Sequence, residues 1–125
     1  MMNDEERPWN ILERSKRFAL RVVRLYVALP KTTEAQVIGR QLLRSGTSVG
    51  AQLREGKRSR SDAEMISKTE TALQELEETA YWLELLSESE IVDGEKSTSL
   101  RNEADQLTGI LVTSAKSLET LSSKR

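Results

Sequence analysis

Apolar residues recur every three or four positions in four separate stretches of the chain, and residues that start or stop helices bound each stretch. In the first stretch Phe18, Val22 and Leu25 lie on one helical face. Pro30 follows as a stop. The later stretches repeat this spacing, which is typical of helices that bury one side. The pattern predicts four helices, over about residues 10–29, 33–56, 61–89 and 94–122.

Boundary chemistry supports this division. Thr33 with Gln36 forms a capping-box pattern at the start of the second helix. Ser61 with Glu64 forms another at the start of the third. Gly56 is expected to end the second helix, because glycine is favoured just after a helix C-terminus.

Short connections make sequential helices antiparallel neighbours. At 125 residues with 37% hydrophobic content, the chain has enough apolar side chains for one modest core. We therefore expect an all-α, antiparallel up-down-up-down four-helix bundle, with residues 10–125 as a single domain. Residues 1–9 are expected to form a flexible N-terminal segment.

The composition narrows the chemistry that the chain can perform. It contains no cysteine and no histidine, so thiolate nucleophiles, cysteine-bound zinc and the commonest general base are all missing. Glu70, Glu77 and Glu84 recur every seven residues, with Glu88 near the same line. This spacing favours helix pairing or simple solvation over a carboxylate metal site. We expect no enzymatic activity, no cofactor and no metal.

The N-terminal residues are charged and lack the apolar stretch of a secretory signal. No apolar run is long enough to span a bilayer. The sequence therefore predicts a cytoplasmic protein that makes no membrane contact.

Charge is distributed unevenly along the chain. Residues 1–62 contain 13 Lys and Arg against 7 Asp and Glu, whereas residues 63–125 contain 6 against 13. Four arginines of the first helix follow a 3-4-3 spacing that places them on one stripe. They either form a phosphate-binding surface with other basic residues or pair with the acidic third helix. The candidate nucleic-acid contacts are Arg14, Arg17, Arg21, Arg24, Arg44, Lys57, Arg58 and Arg60.

Two features predict contact between subunits. The third helix is apolar on nearly every side near Trp82, which calls for a subunit interface unless the connector or the N-terminal segment covers it. In the second helix, glycines one or two turns apart form a groove that another backbone can approach closely. A phosphate cradle at these glycines lacks the strand and the Lys-Ser/Thr ending of a P-loop. The candidate interface residues are Gly39, Gly46, Gly50, Tyr81, Trp82, Leu85 and Leu86.

The string Arg44-Ser45-Gly46-Thr47-Ser48-Val49-Gly50-Ala51, with Lys68, Glu77 and Tyr81-Trp82-Leu83, resembles the bacterial four helix bundle protein family. That family is also called the 23S rRNA-intervening sequence or S23 family. The resemblance implies a left-handed bundle that assembles as a ring-like homopentamer. Relatives that serve diversity-generating retroelements as accessory variability determinants bind nucleic acid and a reverse transcriptase through strongly basic surfaces. This chain differs in its net charge of −1 and in Gln52, where Asn is more usual.

Two functions remain open. The first is a non-enzymatic homo-oligomeric binding module, pentameric as the resemblance implies, whose basic surface contacts RNA or DNA mainly through phosphates. The second is a purely protein-binding oligomeric scaffold with no nucleic-acid ligand. In that case the uneven charge directs the docking of subunits and of a partner protein.

Overall fold

The computed structural model describes residues 10–124, in which no strand is present. Four helices form: α1 (Asn10–Ala28), α2 (Thr33–Lys57), α3 (Asp62–Glu88) and α4 (Gly94–Ser123). The prediction of an all-α four-helix bundle is confirmed, and each predicted boundary lies within one residue of the observed one. The left-handed sense stays a prediction, and the predicted flexible segment 1–9 lies outside the described residues.

One hydrophobic cluster contains residues from all four helices. Phe18, Leu42, Leu83 and Leu107 are fully buried in it, one from each helix. These are the residues that the three- and four-residue spacing places on the inner faces. The core therefore lies along the axis of the bundle. A ligand or partner can contact the outer faces of the helices and the seams between them.

Contacts between side chains show that sequential helices run antiparallel. Residues near the end of α1 approach the start of α2, and residues near the start of α1 approach the middle of α2. Ser45 of α2 meets Thr79 of α3. The Ser97 hydroxyl of α4 donates a hydrogen bond of 3.0 Å to the Leu83 carbonyl of α3. Among helices that are neighbours in the bundle, α1 and α4 make the fewest contacts.

Two boundary predictions were wrong in detail. The residue that caps α2 is Thr32, whose hydroxyl accepts from the Ala35 amide, and not Thr33. Gly56 does not end α2, because the helix continues to Lys57. Gly56 is buried, and a Cβ placed on it would lie 3.2 Å from Lys68 Cβ of α3. The absence of a side chain at Gly56 therefore allows α2 to pack closely against α3, and it does not end the helix. Ser61, by contrast, caps α3 as predicted.

Candidate assembly and nucleic-acid surfaces

The three glycines proposed as a subunit groove face α1 of the same chain. A Cβ on Gly46 would lie 2.8 Å from Val22 Cγ1, and one on Gly39 would lie 2.5 Å from Leu29 Cδ1. Gly50 meets Ser15 in the same way, at 3.2 Å. The predicted close approach is present, but its partner is α1 and not a second subunit. The spacing of the glycines shows that one face of α2 carries small residues. It does not identify which helix packs against that face.

The rest of this low-propensity segment packs in the other direction. The hydroxyl of Thr79 in α3 donates to the Ser45 hydroxyl of α2 at 2.8 Å, and both side chains are fully buried. This hydrogen bond joins the two helices inside the core, and each hydroxyl also lies within reach of a carbonyl of its own helix, at Leu42 and Glu75. The string from Arg44 to Ala51 is therefore a packing element that holds α2 between α1 and α3.

The apolar residues near the end of α3 divide into buried and accessible groups. Leu86 is fully buried in the protomer core, so its assignment to a subunit interface was wrong. Tyr81 is 53% exposed, and Trp82 and Leu85 are half-buried. The rings of Tyr81 and Trp82 meet edge to face at 5.0 Å, and Trp82 Nε1 donates to Glu78. The accessible group remains open to a partner.

A second apolar surface lies on the outer face of α1, where sequence reasoning named no interface residue. Leu20, Val23 and Val27 are 43%, 36% and 68% exposed and follow a three-four spacing. We call these three residues the α1 stripe. The sequence signal was present, because the apolar face of α1 is wider than one core seam needs.

Arg14 is not available to a phosphate. Its side chain is buried and makes a bidentate contact with Glu103 of α4, with Nη2 donating to Oε1 at 2.7 Å and Nε to Oε2 at 3.3 Å. Nη2 also donates to Gln106. Its assignment as a nucleic-acid contact was wrong, because the side chain lies at the α1–α4 seam and closes it.

Arg14→Ala is expected to lower the free energy of unfolding by about 1–3 kcal/mol, since the change leaves a partly buried carboxylate without its donors. Arg44→Ala is the matched control and should cost less than about 1 kcal/mol, as for other exposed pairs. Urea denaturation of both variants measures the difference. Equal losses would contradict a structural role specific to Arg14.

Arg44 is also paired, though at the surface. Its guanidinium contacts Glu75 and Glu78 of α3, and Nε donates to Gln41. Pairing with the acidic third helix was the alternative interpretation of the basic residues, and it holds for Arg44. Its side chain is still half exposed, so a phosphate would have to compete with two carboxylates.

The other three arginines of α1 lie on the flank of the helix that borders α4. Arg21 donates from Nη2 to the Ser99 hydroxyl at 2.7 Å. Arg17 and Arg24 are exposed and have no ion pair or hydrogen bond within residues 10–124. Arg21 and Arg24 line a groove of about 270 Å³ with Lys96 of α4, above an apolar floor that includes Leu25 and Leu100. No Asp or Glu is among the described residues that line it. We call it the basic groove.

Lys57, Arg58 and Arg60 lie at the opposite end of the bundle, around the connection between α2 and α3. All three are exposed. The antiparallel arrangement separates them from the basic groove, which lies where α1 ends and α4 begins. The eight predicted nucleic-acid contacts therefore do not form one surface. Lys96 is an addition that sequence reasoning missed, because it is an isolated cation in the acidic half of the chain.

Two further predictions concern metals and membranes. Across residues 10–124 no group of three or more Asp and Glu side chains is arranged to hold a metal ion. None of the four helices is long and apolar enough to cross a membrane, as far as the described residues go.

Comparison with known proteins shows to which family the chain belongs. The sequence profile described as 23S rRNA-intervening sequence protein matches residues 7–113. The chain belongs to this family. Within it, a crystal structure at 1.70 Å resolution of a protein with unknown function from the S23 ribosomal protein family of Bacteroides thetaiotaomicron is 39% identical in sequence. The match covers 85% of this chain and 95% of the other, with a TM-score of 0.81. No curated protein matches the chain.

Membership confirms the resemblance that the string in α2 suggested. In this member of the 23S rRNA-intervening sequence protein family, the string lies in the seams that α2 forms with α1 and with α3. The residues that carry the resemblance are thus residues that hold the fold together.

Proposed function

We propose that this chain is a non-enzymatic binding module that assembles with copies of itself, as a pentamer, and presents the basic groove to RNA or DNA. The observation that carries the nucleic-acid part is the convergence of Arg21, Arg24 and Lys96 on one groove without a carboxylate in its lining. Such a cluster attracts phosphates in a chain whose net charge is −1.

The groove lies beside the first turn of α4, but Asp93 caps this turn and Glu95 lies within it, so carboxylates of the chain already meet the partial positive charge at the amino end of the helix. One further feature favours phosphate at the groove. Arg17 is exposed on the same flank of α1 and extends the positive surface along the seam. Phosphate contacts of this kind give affinity with little sequence preference. The family description itself refers to an intervening sequence of 23S rRNA.

The assembly part rests on exposed apolar side chains. The α1 stripe and the accessible end of α3 lie on different helices, and neither is covered in the described protomer. Contiguous exposed apolar surface marks an interaction site in soluble proteins. The number of five subunits comes from the family resemblance.

A mobility-shift titration against RNA and DNA, repeated over a range of salt concentrations, tests the nucleic-acid part. An Arg21→Ala/Arg24→Ala/Lys96→Ala variant is expected to bind more weakly and to reduce the salt slope of log affinity by about 2–3, because each removed cation leaves one phosphate without its neutralising charge. The matched control replaces Lys57, Arg58 and Arg60 by alanine, which changes the net charge equally at the far end of the bundle.

Equal weakening by both triple variants would contradict the basic groove as the site. Absence of binding to every nucleic acid at low salt would remove the nucleic-acid part altogether. The second function, a protein-binding scaffold, is favoured by one observation: Arg14 and Arg44 are already neutralised by carboxylates of the same chain. It predicts an assembled wild-type protein that binds no nucleic acid.

A further inference from the structure

We infer that the subunits join head to tail, with the α1 stripe of one copy seated on the accessible apolar end of α3 in the next. The inference rests on the assembly part of the proposed function and names the two surfaces that meet. It follows from the place and the charge of two exposed surfaces that the protomer leaves uncovered.

The α3 surface extends onto α2 through the register of the two helices. Ser45 of α2 contacts Thr79 of α3, and the two helices are antiparallel. Val37 lies about two turns before Ser45, and Leu85 lies about two turns after Thr79, so both lie toward the same end of the bundle. Val37 is 54% exposed. It therefore lies at the same level along the bundle as the accessible residues of α3. We call this group the α3 patch: Val37, Tyr81, Trp82 and Leu85.

The charges around the two surfaces are opposite. Exposed Lys16 precedes Leu20 by four residues and continues the line of the α1 stripe, and Arg17 and Arg24 flank it, against one exposed carboxylate at Glu13. The α3 patch is bordered on the outer face of α3 by exposed Glu77, Glu84 and Glu88, and on its α2 side by exposed Arg40, whereas Arg44 is paired with carboxylates of α3. Acidic residues therefore predominate around it. Complementary rims around apolar centres favour contact between unlike surfaces and disfavour contact between like ones.

The outer lines of the two helices differ in character. Lys16, Leu20, Val23 and Val27 place three apolar residues on the outer face of α1, whereas the same spacing on α3 places Tyr81 among Glu77, Glu84 and Glu88. The α1 stripe is therefore seated on Tyr81 and on the side of α3 that carries Trp82 and Leu85, with the carboxylates at the edge of the contact. Because the two surfaces belong to different helices, each copy contacts one neighbour through its α1 stripe and another neighbour through its α3 patch. A contact of this type closes into a ring when its rotation permits.

Two exposed substitutions disable the surfaces separately. Leu20→Glu places a carboxylate in the α1 stripe, and Tyr81→Lys places an ammonium group in the α3 patch. Each is expected to reduce the wild-type oligomer to a monomer in light scattering coupled to size exclusion. Val112→Glu is the matched control, because Val112 is 37% exposed on α4 outside both surfaces, and this variant should keep the wild-type mass.

Mixing the two variants tests the head-to-tail geometry. The Leu20→Glu protein still offers an intact α3 patch, and the Tyr81→Lys protein still offers an intact α1 stripe. An equimolar mixture should therefore form a dimer through the one intact contact, although neither variant assembles alone. Growth beyond the dimer would require the two introduced side chains, which carry opposite charges, to meet at the altered contact. A contact between like surfaces would instead leave one of the two variants fully assembled on its own.

Crosslinking gives a second measurement with milder changes, since the chain contains no cysteine. With a flexible bis-maleimide, the Val27→Cys and Tyr81→Cys proteins should crosslink when mixed and not when treated alone. Crosslinking within either protein alone, or wild-type mass in the Leu20→Glu or Tyr81→Lys variant, overturns the head-to-tail contact. A monomeric wild-type protein would refute the assembly part of the proposed function as well.

Discussion

Gly46→Leu is expected to lower the free energy of unfolding by about 3 kcal/mol or more, the upper end of what overpacking costs. An added Cβ already lies 2.8 Å from one methyl group of Val22 and 2.9 Å from the other. Val22 is fully buried in the core and β-branched, so it has little freedom to move aside. Helices α1 and α2 must therefore separate to admit the larger side chain. Thermal and urea denaturation measure the loss.

Gly109→Leu is the control and should raise the free energy of unfolding. Gly109 is exposed inside α4, and nothing lies within 4 Å of an added Cβ. Replacing glycine in a helix interior removes a propensity penalty of about 1 kcal/mol. A stabilised Gly109→Leu protein beside a destabilised Gly46→Leu protein isolates the steric effect from the propensity effect. If both variants were stabilised, the close contact between α1 and α2 would be refuted.

The helices could be predicted because their signals are local. Thr32 and Ser61 hold the capping positions by hydrogen bonds that span three residues, and Pro30 prevents continuation of α1. The sequence pattern missed the cap of α2 by one residue. Thr32 and Thr33 are adjacent hydroxyl residues, and Gln36 bonds to the Pro30 carbonyl in place of completing a capping box. An error of this size does not move the apolar face of the helix.

The partners of those helices could not be predicted in the same way. The small residues of α2 indicated a close approach, and the structure gives that role to Val22 of α1 and to Leu29, which directly follows α1. Arg14 likewise belongs to a regular arginine stripe, and only the fold shows that Glu103 lies opposite it. Periodicity defines which side a residue occupies, whereas contact across a seam depends on register between segments far apart in sequence.

The fold also divides the basic stripe of α1 into residues with different roles. Arg14 closes the seam with α4, Arg21 bonds to Ser99 at its edge, and Arg17 and Arg24 remain exposed. A three-residue step turns about 60° around the helix, so Arg14 and Arg21 turn toward α4 whereas Arg17 and Arg24 turn toward solvent. The basic groove therefore uses only part of a pattern that looks uniform in the sequence.

Leu111→Ala is expected to cost about 2–5 kcal/mol, because Leu111 is 2% exposed and belongs to the central cluster. The large-to-small change removes apolar packing and leaves a cavity that a tightly packed bundle fills only in part. Urea denaturation at fixed protein concentration measures the cost, since assembly would add a concentration-dependent term.

Leu73→Ala is the matched comparison on the facing helix. The heptad pattern assigns Leu73 and Leu111 to equivalent core positions, but Leu73 is only half-buried and packs against the cluster from its edge. Its loss should be clearly smaller, because less apolar area is removed from the core and solvent can reach the space. Equal losses would mean that Leu73 is covered in solution by something other than its own protomer, and the subunit contact would then have to extend toward the α3–α4 seam.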